Sequence, residues 1–252
     1  MSEPRDPHRE IELVTEPVKP AGRRLFVGIR VSIATANSLV GAVETLARRA
    51  RDAGADIRWG APANYHVTLK YLGWTREAAI GVLYDALAEA VRGTQRFTFR
   101  TTRLGAFPSL DKASVVWAGV EDGGALAALA KRIETAATAL GFRPEERPFH
   151  PHVTLGRSRE IRAVREVVLP MSEQMFSDTR VDAVQLFESE TKSSGSVYKE
   201  IFGIGFNQAQ TPSFDASERQ TKALDLGAPN QSSDTDHAET DDGWPRGQGP
   251  TG

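Results

Sequence analysis

Apolar and polar positions follow two alternating rhythms along this chain, a period of two residues that marks strands and a spacing of three to four that marks helices. The run from Arg24 to Val31 is rich in β-formers and predicts a central strand. Leu39, Val43 and Leu46 then recur at helical spacing, which predicts a helix over 34–53 that Gly54 stops. A short strand over 57–59 leads through Pro62 to a strand over 65–72. A second helix is expected over 77–91, followed by strands over 96–100 and 114–120. The second half repeats this scheme. It predicts a helix over 125–140 stopped by Gly141, a strand over 151–156 and a short helix over 160–168. Strands over 181–188 and 196–204 close the body.

Two of the expected strands carry the same tetrapeptide. His66-Val67-Thr68-Leu69 and His152-Val153-Thr154-Leu155 stand at matching places, each after a helix and at the start of a strand. The chain has only 5 histidines. By chance, a shared tripeptide after any two of them arises on the order of a few times in a thousand. On a strand, residues i and i+2 face one way. His66 and Thr68 therefore project together, as do His152 and Thr154, while the valine and leucine of each copy enter an apolar layer. The fold class expected is α+β, with two pseudo-symmetric antiparallel sheets, helices on their outer faces and a central cleft between two lobes. Each wall of that cleft would present one imidazole and one hydroxyl.

This constellation suits displacement at phosphorus. Such a reaction needs a base for the attacking oxygen and an acid for the leaving one, and imidazole titrates near neutrality. The threonine hydroxyls can hold non-bridging oxygens. Arg157, just beyond Gly156, is a candidate phosphate clamp because its planar fork matches a phosphate. His150 could share the face of His152, but its counterpart in the first copy is Asn64, so it reads as peripheral. A zinc set of His66, His150 and His152 lacks a suitably placed carboxylate. His8 and His237 fall in segments read as solvated ends. Phe107, Tyr71 and Phe149 could stack a base but serve core packing equally well, so none is claimed.

Charge and composition refine the picture. The net charge of −2 is uneven. Residues 207–252 hold eight acids against three bases, and residues 1–22 hold five against three, which leaves the body over 23–206 at about +5. A mildly basic body fits a small anion or a short RNA end, not a protein that tracks long duplexes. The tail over 207–252 is polar and acidic and is expected to be disordered, as is the extension over 1–22. There is no cysteine, hence no disulfide and no thiolate nucleophile. No apolar run spans a membrane and no secretory signal opens the chain, so a cytoplasmic monomer without a membrane partner is expected.

The stretches from Arg24 to Ile29, Asn64 to Gly73 and Phe149 to Arg157 resemble the 2H phosphoesterase superfamily. So do Gly105-Ala106-Phe107-Pro108 before Trp117, and Gln185 to Ser189 followed by Tyr198. The nearest branch is the RNA 2′,3′-cyclic phosphodiesterases, also called 2′-5′ RNA ligase-like proteins, and the likeness covers nearly all of 23–206. It implies a bilobal fold and hydrolysis of RNA or nucleotide 2′,3′-cyclic phosphates to 2′-phosphates, with no metal and no cofactor. By that resemblance His66 is the general acid and His152 the general base. Thr68, Thr154 and Arg157 hold the phosphate. Two alternatives stay open: 2′-5′ RNA ligation by the reverse chemistry, and a non-catalytic nucleotide-binding module.

Overall fold

The computed structural model describes residues 21–192 and 195–206. The extensions expected to be disordered, 1–22 and 207–252, lie outside the described residues except for Ala21 and Gly22.

The two hydrophobic rhythms resolve into nine strands and four α-helices among the described residues. In chain order these are β1 (Gly22–Arg30), α1 (Ile33–Asp52), β2 (Ile57–Trp59), β3 (His66–Arg76), α2 (Ile80–Val91), β4 (Phe97–Ser109), β5 (Lys112–Glu121) and α3 (Ala125–Ala139). They continue with β6 (His152–Arg162), α4 (Arg165–Val168), β7 (Met175–Val181), β8 (Ala183–Lys192) and β9 (Gly195–Gly205). Local signals set the helix ends. Ser32 caps α1 by accepting a hydrogen bond from the Thr35 N–H at 3.1 Å. The buried stripe of α1 is Thr35, Leu39, Ala42, Leu46 and Ala50, while Val43 lies at its margin.

All ladders are antiparallel and run in the order β7-β4-β5-β6-β3-β1-β8-β9, with β2 paired to β6. The first lobe is β3, β1, β8 and β9; the second is β6, β5, β4, β7 and β2. They meet through one ladder pair, Val67 opposite Val153, so the two expected sheets join into one curled sheet at the middle of the repeat. Both valines have no exposed surface. α2 and α3 pack on each other, α3 against β3, and α2 against β9, while α1 covers β7. Both long crossovers therefore change lobes: α1 leaves β1 for the second lobe, and α3 leaves β5 for the first.

Several elements differ from expectation for identifiable reasons. β7 carries no apolar run, because only Thr179 and Val181 on it are buried, and it forms an edge where one face suffices. β6 runs on to Arg162 because Ala113 of β5 still pairs there. The expected helix over 160–168 is thereby reduced to one turn. β4 continues beyond Arg100 to form a long hairpin with β5 that closes at Ser109 opposite Lys112. No described helix is long and apolar enough to cross a membrane.

Candidate active site

The Val67–Val153 pair sits at the centre of the candidate site. Around an antiparallel pair the flanking residues face each other, so the register sets His66 beside Thr154 and Thr68 beside His152. The two imidazoles are then diagonal neighbours on one face, about 7–8 Å apart at the backbone. Val67, Leu69, Val153 and Leu155 fill the opposite, apolar layer.

Backbone carbonyls fix both rings in the same way. His66 Nδ1 lies 2.6 Å from the carbonyl oxygen of Asn64, and His152 Nδ1 lies 2.7 Å from that of His150. A carbonyl can only accept, so Nδ1 carries the hydrogen in each ring and Nε2 is the position that exchanges a proton. In the first motif, Nε2 also meets the Thr68 hydroxyl at 3.1 Å.

Each ring has an aromatic wall. Phe26, Phe187 and Tyr198 surround His66 at centroid distances of 4.7, 5.9 and 4.9 Å. Phe107 meets His152 edge-on at 5.0 Å, with Trp117 at 6.5 Å. The Trp117 indole lies so close over Gly105, its ladder partner, that a Cβ there would fall 2.3 Å from the ring. Alternation alone does not single out Phe26, Phe187 or Tyr198 as site walls, since they become neighbours only through the β1–β8–β9 ladders. His150 is not peripheral: its ring packs on Phe107 and Trp117 at 5.3 Å each, beside His152.

The two histidines differ electrostatically. His152 retains some solvent access at its rim, yet the packed rings strip most water from it. That desolvation lowers its pKa from 6.5 to about 4, and the charges of His150, Arg157 and His66 push the same way, while the His150 carbonyl opposes them.

Arg157 reaches this face through a bulge. Strict alternation from His152 would send it into the core. Thr154 pairs with Trp117, however, and Gly156 with Val116, which leaves Leu155 as an extra residue. Parity flips there, so Gly156 enters the core and Arg157 faces the cleft. The first motif has the same bulge at Leu69, because Thr68 pairs with Gly28 and Lys70 with Val27. Lys70 thus turns inward, where it is buried against Glu134 at 2.9 Å and the Arg143 carbonyl at 2.6 Å. Tyr71 takes the position that Arg157 holds in the second motif. Among the described residues no three of His, Cys, Asp or Glu are grouped to hold a metal ion.

Residues 39–193 match the family model described as the 2′-5′ RNA ligase superfamily. A protein of Aeropyrum pernix named RNA 2′,3′-cyclic phosphodiesterase is 31% identical over 170 residues, covering 66% of this chain and 96% of that one. One of the same name from Thermotoga maritima is 27% identical over 183 residues, covering 73% and 95%. Among solved structures, a protein of Thermus thermophilus aligns with a TM-score of 0.62 at 25% identity, over 74% of this chain and 100% of that one. Escherichia coli LigT, solved with 3′-AMP, aligns with a TM-score of 0.57 at 23% identity, over 74% and 99%, a likeness of fold.

Proposed function

Because the chain belongs to the 2′-5′ RNA ligase superfamily, we propose that it is a phosphoric diester hydrolase that opens 2′,3′-cyclic phosphates on RNA ends or small nucleotides to 2′-phosphates. The observation that carries this reading is the pair of imidazoles with Nδ1 committed to a carbonyl and Nε2 turned to one shared face.

In this reading, His152 is the base. Its desolvated ring is neutral at neutral pH and offers a bare Nε2 to water. Water adds to phosphorus as Nε2 of His152 takes its proton. The bond from phosphorus to O3′ breaks, and His66 Nε2–H gives its proton to that oxygen. The products are a 3′-hydroxyl and a 2′-phosphate monoester. The Thr68 and Thr154 hydroxyls and the Arg157 guanidinium hold the non-bridging oxygens, where charge develops. A cytoplasmic monomer working without metal or cofactor completes the reading, in keeping with a chain free of cysteine.

The test is to incubate the protein with nucleoside 2′,3′-cyclic phosphates in EDTA and identify the product isomer. Full turnover to the 2′-phosphate is expected, with His66→Ala and His152→Ala each slower by at least about a hundredfold. A 3′-phosphate product, or activity abolished by EDTA, would overturn the mechanism. Joining of RNA halves without hydrolysis would favour the reverse chemistry, and tight binding without turnover would favour a binding module.

A further inference from the structure

β2 has only three residues, but its register with β6 sets Arg58 directly opposite Arg157. Opposite residues of an antiparallel ladder share a face with Cβ atoms about 5 Å apart, where like charges repel. The neighbours of Arg58 confirm its direction: Ile57 is buried, and Trp59 packs on the core against Gly156. Arg58 and Arg157 therefore lie side by side on the cleft face.

Two observations place the Arg58 side chain. Its aliphatic stem runs beside the β8–β9 hairpin of the first lobe, where a Cβ at Gly195 would sit 3.8 Å from Arg58 Cδ. That hairpin is itself pinned, since the Asn64 side-chain amide donates to the Ser196 carbonyl at 2.8 Å. Arg58 is exposed, and its guanidinium makes none of the hydrogen bonds or ion pairs found among the described residues. Asp56, two residues back on the same face, forms no ion pair with it. With Arg157 assigned to the reacting phosphate, the neighbouring Arg58 fork is placed to take a second phosphate next to it.

The cleft has this feature at one end only. At the equivalent point of the first motif, Tyr71 stands for Arg157, and among the described residues β3 pairs only with β1 and β6, so no strand takes the place of β2 there. An RNA end placed with its cyclic phosphate at the histidines has one further anion within a nucleotide's span, the phosphodiester on the 5′ side of the terminal nucleotide. We propose that Arg58, beside Arg157, seats this phosphodiester, so that the site selects oligonucleotide ends over free nucleoside cyclic phosphates and the RNA strand leaves past the second motif. This inference rests on the proposed cyclic phosphodiesterase activity.

The experiment compares kcat/KM for a nucleoside 2′,3′-cyclic phosphate with that for a dinucleotide ending in the same group. The dinucleotide is expected to be preferred by about tenfold or more, and Arg58→Gln to cut that ratio by about tenfold. The variant should also lower the salt dependence of dinucleotide turnover by about 0.7 in log–log slope, one phosphate contact on a single strand. Equal loss on both substrates, or none on either, would overturn the proposal. Equilibrium binding of a nucleoside 2′-phosphate and of the matching 2′-phosphorylated dinucleotide reads the same site without turnover. Hydrolysis without length preference sinks the Arg58 site alone. Length-dependent binding that Arg58→Gln abolishes, with no hydrolysis, upholds the site and sinks the activity.

Discussion

A histidine packed among Phe107, Trp117 and His150 loses water that its charged form needs, and this controls how the protein should respond to pH. In the free protein, kcat/KM is expected to hold on the acid side until about pH 4, where His152 gains its proton, with no break near 6.5 from this residue. A bound phosphate anion favours the imidazolium, so the acid limb of kcat should stand at higher pH than that of kcat/KM. Coincident limbs would count against His152 as the base. Stability follows the same group. Its pKa is lower folded than unfolded, so the unfolded chain binds more protons between 6.5 and about 4. The stability present above 6.5 is lost as pH falls through that window. His152→Asn cannot titrate, and the difference in Tm between about pH 7 and about pH 4.5 should shrink in that variant. At this scale, alternation told which face His66, Thr68, His152 and Thr154 share. It could not tell that Arg157 joins them, because the bulge at Leu155 has no composition of its own.

Among the elements, the structure of β3 shows what one extra residue does. Its bulge sends Lys70 inward to α3, where Glu134 also accepts from the Glu145 N–H at 3.0 Å. This knot ties the first motif strand to the loop that delivers the second motif. The Lys70 side chain is 3% exposed and that of Glu134 27%, so removing the lysine strands a carboxylate that water only partly reaches. Lys70→Met is expected to lower unfolding free energy by about 2 kcal/mol, read from the urea midpoint. Adding Glu134→Leu should restore part of that loss, and an additive double mutant would show that the pair is uncoupled. Elements with a dense apolar stripe, such as α1 and α3, were legible to within a residue or two. β7 was not, because an edge strand with only two buried residues, Thr179 and Val181, leaves no periodic signal. Lys70 falls in the expected strand over 65–72, where strict alternation from His66 and Thr68 would put it on their face, and only the ladder register reveals its burial.

For the whole molecule, the doubled tetrapeptide implied two related lobes and a cleft. The crossing of α1 and α3 between lobes was not legible, since hydrophobic spacing says which face a helix buries and not against which sheet. Nor was the junction, whose β3–β6 ladder is the single pair Val67–Val153 among the described residues. Val153→Ala removes buried methyl groups at the pair that spaces the two imidazoles. It should cost about 2 kcal/mol of stability, and kcat at a temperature where the variant is fully folded should fall by at least about tenfold. Unchanged kcat would show that the lobes hold their spacing without this contact. The matching carbonyl tethers also bear on the catalytic cycle. With both Nδ1 hydrogens committed, one turnover of the proposed mechanism would leave His66 without its exchangeable proton and His152 with one, the mirror image of the starting arrangement. The protein would then have to pass a proton back through solvent before acting again. Until it did, the cleft would be set for closing the ring it had just opened, and the reluctance of His152 to stay charged would drive the reset.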